Sequence, residues 1–144
     1  MTLGRESLEA AYRRTEYRVR APEGTFTIHI GARCEVLEAL LREVGARSWA
    51  FVTACNPRSQ PLSDEVNARR QAQLLAMLSE QERALIPGEG VDPAGDWPAE
   101  ASVLILDIER DEALKLGRLW EQNAIVCGER GGVPQLLWCY PDGA

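Results

Sequence analysis

WAFVTACNPRSQPLSDEVNARRQAQLLAML, residues 49–78, reads as three joined pieces. Residues 48–54 are apolar on both faces, as a central strand requires. Asn56-Pro57-Arg58-Ser59 is a polar elbow. Ser63-Asp64-Glu65 then supplies an N-cap and first-turn acids for a long helix running to about Ala84. On that helix Asn67, Arg70, Leu74 and Leu78 share a face, because seven residues nearly complete two turns. Asn67 and Arg70 therefore extend the apolar stripe, and half-buried polar groups there need partners. Glu100 is the carboxylate expected to pair with Arg70.

On the N-terminal side, residues 35–44 predict a helix with Val36, Leu37, Leu40, Leu41 and Val44 on one side, stopped by Gly45. Residues 25–30 alternate as a strand: Phe26, Ile28 and Ile30 face one way. Residues 17–20 predict an edge strand joined to it by a Pro-Glu-Gly turn, and residues 5–16 a short helix.

On the C-terminal side, residues 86–101 hold three prolines and three glycines and predict a long loop, either a lid or a plain surface connection. Residues 102–108 predict a second strand without a polar face, residues 109–120 a helix, and residues 123–127 with 133–140 a C-terminal hairpin. The order of elements predicts an α+β fold with a mixed, largely antiparallel sheet. Two split βαβ units in the ferredoxin-like manner would build it, with the long helix and its loop (about 60–101) inserted between them. Residues 1–144 form a single domain in this reading. The end of strand 48–54 then shares a sheet border with the starts of the strands at 102 and 123. Thr53, Asn56 and Ser59 would meet Glu100, Ser102, Gln122 and Asn123 there.

The composition bounds the partners. A formal charge of −6 opposes the field of a nucleic acid duplex, so no double-stranded nucleic acid is expected. No apolar run is long enough for a bilayer, and the first residues lack the apolar core of a signal peptide, so a cytoplasmic setting is expected. The four cysteines show no metal-ligand spacing and the one histidine has no partner, so neither metal nor cofactor is expected. Cys55 has no histidine to activate it and reads as a buried thiol.

Glu89, between Gly88 and Gly90, and Glu100, just after Trp97-Pro98, are the candidate acids or bases, and Glu100 is the one assigned to the site. Arg58 at the elbow and Arg70 on the helix are the candidate anion-holding groups. Trp97 is either a stacking platform or an anchor for the loop. Gln122-Asn123 either caps the preceding helix or faces a ligand, and Asn56 either redirects the chain as a turn or joins the site.

The ordered segments WAFVTACNPRSQPLSDEVNARRQAQL, GEG, WPAEASVLIL, QNAIV and the terminal LLW resemble a bacterial family known as domain of unknown function 3293. The likeness spans roughly residues 17 to 138. It implies a small stand-alone protein and matches the family pattern at Thr53, Asn56, Pro57, Ser59, Asn67, Arg70, Trp97, Glu100, Ser102, Gln122 and Asn123. The pattern has Phe-Gly where this chain has Trp120-Glu121.

Two functional readings follow. In one, a small anionic or nucleotide-like ligand is held by Arg58 and Arg70 and oriented by Asn56, Asn67, Gln122 and Asn123. Glu100 there serves a hydrolase or transferase. In the other, the same polar set is an internal lock in a non-enzymatic interaction module.

Overall fold

A computed structural model describes residues 4–140. Helix α1 (Arg5–Arg14) leads into strands β1 (Glu16–Ala21) and β2 (Gly24–Ile28), followed by α2 (Glu35–Val44) and β3 (Ser48–Val52). A 3₁₀ turn (Pro57–Ser59) and the long α3 (Asp64–Ser79) precede β4 (Leu85–Val91) and β5 (Glu100–Leu106). Helix α4 (Arg110–Leu119) and the hairpin β6 (Ala124–Glu129)–β7 (Gln135–Trp138) complete the domain.

The seven strands form one sheet in the order β2-β1-β4-β5-β3-β6-β7, and every paired neighbour is antiparallel. This corrects the ferredoxin-like expectation. Of the two expected βαβ units, β5–α4–β6 encloses β3 alone, whereas β2–α2–β3 encloses β1, β4 and β5. The reason is local. The hairpin joining β1 to β2 pairs Ala21 with Gly24, and the free side of β1 is then taken by β4. Strand β2 is left at the border of the sheet.

Strand β4 lies inside the stretch read as a loop. Its Pro87 falls outside the register with β1, which spans Gly88 to Val91, so the missing amide is not needed on that side. Its Gly88 is a close-approach glycine: a Cβ there would sit 2.4 Å from the Arg18 carbonyl oxygen and 2.9 Å from the Phe51 ring. Helix α3 stops at Ser79 and not near Ala84, because residues from Leu85 onward are drawn into the sheet.

Both faces of the sheet are covered. Trp49 and Phe51 of β3, with Leu104 and Leu106 of β5, pack against Leu37 and Leu41 of α2. The alternate residues Ala50, Val52, Val103 and Ile105 pack against Leu74 and Leu78 of α3 and Ala113 and Leu116 of α4. Two-sided burial explains why neither strand carries a polar face. Helix α2 ends as its sequence indicates, on Gly45 in the left-handed conformation at φ 72°. No helix among the described residues is long and apolar enough to cross a membrane.

Candidate functional site

Beyond Val52 the β3 ladder ends, and side chains take over its backbone hydrogen bonds. The Ala54 amide donates to Gln71 Oε1 at 3.0 Å and the Asn56 amide to Asn67 Oδ1 at 2.9 Å. Arg70 Nε donates to the Ala54 carbonyl at 2.6 Å, and Gln122 Nε2 to the Cys55 carbonyl at 3.1 Å. Thr53 Oγ1 donates to the Ala101 carbonyl at 2.7 Å, tying β3 to β5. The polar residues on the inner face of α3 thus satisfy a buried strand end that would otherwise lose hydrogen bonds.

The elbow itself is strained. Asn56, Arg58 and Ser59 have φ of 48°, 54° and 60°, left-handed values for residues that bear a Cβ. Such residues persist only where their surroundings hold them. Asn56 is the main fastening. Its Oδ1 accepts from the Leu62 amide at 2.9 Å and from Asn67 Nδ2 at 2.8 Å, and its Nδ2 donates to Glu100 Oε2 at 2.6 Å.

Next to this elbow is a cavity of about 390 Å³, inside the usual size range for small-molecule sites. The ends of β3, β5 and β6 form its floor, and the start of α3 forms one wall. Helix α1 closes it through Leu8, Ala11, Tyr12 and Thr15. This helix has no buried residue of its own. Side-chain contacts dock it: Tyr12 meets Trp138 edge-on at 5.8 Å, and Arg14 pairs with Asp92 at 3.3 Å and stacks over Trp97 at 4.9 Å.

The sequence candidates divide into two groups. Thr53, Asn56, Ser59, Asn67, Trp97, Glu100, Ser102 and Gln122 line the cavity. Arg58, Arg70 and Asn123 do not. Arg58 lies over the Tyr140 ring at 3.7 Å, and Asn123 Nδ2 donates to Ser59 Oγ at 2.8 Å. Arg70 bridges the Ala54 carbonyl and the Trp120 carbonyl, the latter at 2.8 Å. The expected Arg70–Glu100 pair is therefore replaced by Asn56–Glu100. The guanidinium is held instead by one carbonyl just past β3 and one at the end of α4.

Sequence reading missed Tyr12, Tyr17, Phe51 and Asp92, which also line the cavity. Gln71, 6% exposed, was missed too. Only Gln71 carried a signal: it follows Asn67 by one helical turn on the inward face. Tyr12, Tyr17 and Asp92 come from elements far away in the chain, and Phe51, two residues before Thr53, read simply as core.

Burial in this apolar cavity pushes the Glu100 carboxyl above its ordinary value, partly opposed by the Asn56 hydrogen bond. Burial also pushes Tyr12 up to about 12, against a hydrogen bond with Ser59, so the phenol stays protonated. Cys55 is raised by burial and remains a thiol, in line with its reading as a buried, unactivated cysteine. Asp92 behaves oppositely. Some desolvation works against it, but the Ala94 amide, Arg14 and the Asp96 amide hold its carboxyl below the ordinary range.

A stability prediction follows from Glu100. A raised folded-state pKa means its contribution is fully present below the unfolded value of ~4.3 and is lost as pH rises through the folded value. Glu100→Gln keeps an acceptor for Asn56 and removes the titration. The variant should gain on wild type in urea midpoint as pH rises above about 4, through the range in which Glu100 ionises in the folded protein. A difference that stays constant with pH would show that Glu100 is not desolvated in this way. Asp92 opposes the trend only at the acid end, where its contribution is lost as pH falls.

Residues 52–125 match the profile of a family described as "Protein of unknown function (DUF3293)". The chain belongs to this family. No curated protein and no solved structure matches it. The matched span of this DUF3293 protein carries the elbow, α3, β5, Gln122 and Asn123. It is shorter than the resemblance suggested, and it leaves out α1 and therefore Tyr12.

The Trp120-Glu121 pair after α4 of this DUF3293 chain has a local structural cost. Glu121 has φ 59°, a conformation that suits glycine. The neighbouring Trp120 buries an indole N–H that has no hydrogen-bond partner among the described residues. The Glu121 side chain, 58% exposed, makes only a long contact with Arg70, at 3.8 Å, while its backbone carbonyl accepts from the Arg58 amide at 2.7 Å, a bond that glycine would keep. Glu121→Gly is therefore expected to stabilise the protein by about 1 kcal/mol through relief of backbone strain. The check is chemical denaturation, and a loss of stability would mean that the Arg70 contact outweighs the strain.

Proposed function

We propose that this protein binds a small molecule in the cavity beneath α1, with Glu100 as its polar anchor. The observation that carries the reading is the position of one carboxylate. Glu100 is half-buried beside an apolar cavity, and Asn56 is the one side chain among the described residues that hydrogen-bonds to its carboxylate. A purely structural carboxylate in such surroundings is normally saturated with donors.

The expected anion is set aside in this reading, because the two arginines meant to hold it are engaged outside the cavity. A mostly apolar molecule with one hydrogen-bond-donating group suits the walls better. Should the bound molecule be turned over by hydrolysis or group transfer, Glu100 is the group placed to move a proton, since its raised pKa lies closer to neutrality. A reducing bacterial cytoplasm is the setting taken here, and the four cysteines, none of them disulfide-bonded, support it.

The competing reading, an interaction module with an internal polar lock, accounts for Arg70, Gln71 and Asn123, whose contacts are structural. It uses Glu100 only as the acceptor for Asn56 and gives no role to the cavity. A ligand-observed NMR screen of small apolar fragments separates the two. Wild type should give hits that disappear in Ala11→Trp, which fills the cavity from a helix with no buried residues. Hits that persist in that variant, or a blank screen on wild type, would favour the lock.

A further inference from the structure

We infer that the occupant of the cavity is an organic cation: an amine or ammonium group carried on an apolar body. The inference rests on the cavity being a binding site and adds the charge class of its ligand. Its basis is the chemistry of the whole wall.

Three carboxylates, Asp64, Asp92 and Glu100, line the space, and no described Lys, Arg or His does. Four of the nine aromatic residues in the chain line it as well: Tyr12, Tyr17, Phe51 and Trp97. Aromatic faces carry negative potential and attract ammonium groups, most strongly where water is excluded. Carboxylates set among aromatic rings are thus complementary to an organic cation and repel an anion.

The three acids are not equivalent. Asp92 is already answered by Arg14 and by two backbone amides. Asp64 stands exposed in the first turn of α3. Glu100 lines the cavity with Asn56 as its one side-chain hydrogen-bond donor among the described residues. A cation seated there would supply the missing counter-charge for Glu100, while its apolar body lay against Phe51, Tyr17 and Val126. Arg14, outside the cavity, already shows the same chemistry on two of its lining residues: its guanidinium stacks over Trp97 at 4.9 Å while pairing with Asp92.

A matched series tests this on the full chain. The probes are 4-phenylbutylamine, 4-phenylbutan-1-ol and 4-phenylbutanoate, which share one apolar body and differ in the charge of the head group. Titration calorimetry on wild type should show the amine binding at least about tenfold more tightly than the alcohol, with the carboxylate weakest, as for a charge paired out of water. In Glu100→Gln the amine should fall to the level of the alcohol. Equal or tighter binding of the alcohol or the carboxylate to wild type overturns the cation assignment, and that comparison needs no variant to fold. Preference for the amine that survives Glu100→Gln overturns Glu100 as the anchor and with it the inference. Failure of all three probes also overturns it. The fragment screen against Ala11→Trp then decides separately whether the cavity binds anything.

Discussion

Gly88→Ala should unfold this protein at a markedly lower urea concentration, with a loss of about 3 kcal/mol, at the upper end of what overpacking costs. Gly88 sits in β4 between β1 and β5 and pairs with Val19 and Ser102. An added Cβ would lie 2.4 Å from a backbone oxygen of Arg18, which can move only with its whole strand, and 2.9 Å from the buried Phe51 ring. The Arg18 carbonyl has no free direction in which to yield, and the Phe51 ring can give way only toward the cavity it lines. Phe51 is 5% exposed and meets Tyr17 edge-on at 5.4 Å. Gly90→Ala is the internal control, since its Cβ would meet only the Thr15 methyl at an ordinary 3.6 Å. Denaturation midpoints of the two variants decide the matter. Equal losses would mean that the close approach of β4 to Phe51 is not a real constraint.

Asn56→Ala should be comparably damaging, at about 3 kcal/mol, from a small polar side chain on the surface of no helix or strand. One amide group bonds three partners: the Leu62 amide, the Asn67 amide and the Glu100 carboxylate. Removing it leaves partly buried polar groups unpaired, at about 1–3 kcal/mol for each one fully lost. Alanine also tolerates the left-handed backbone at φ 48° less well than asparagine does. Asn56→Gly separates the two effects by relieving the backbone while still deleting the bonds. The Glu100 carboxyl should rise further in both variants, because the one hydrogen bond that lowers it is gone. In a double-mutant cycle with Glu100→Ala, which removes the acceptor, the two changes should be non-additive, as residues in one network are. Additive losses would show that Asn56 and Glu100 do not communicate, and the site would lose its link to the elbow.

The elements flanking the elbow were legible because their signals are local. Strand β3, helix α3 with its Ser63 cap, helix α2 with Gly45, and the terminal hairpin all follow from periodicity and capping. The meeting of Asn56, Glu100 and Gln122 around one cavity was also legible, since it requires only that β3 and β5 run antiparallel. Strand β4 was hidden. Its Pro87, Gly88 and Gly90 read as loop chemistry, yet they are there because β1 and Phe51 crowd the backbone. No local window contains that neighbour.

The sequence by itself determined the α+β class, the buried central strand and the set of polar residues at its end, because hydrophobic period and turn chemistry act over a few residues. Tertiary structure alone decided which of those residues face empty space. Arg70 was drawn to two carbonyls and Arg58 to the Tyr140 ring, while α1 arrived from the far end of the chain to roof Glu100 with aromatic and apolar groups. Hydrogen-bond competition among residues distant in sequence made that choice.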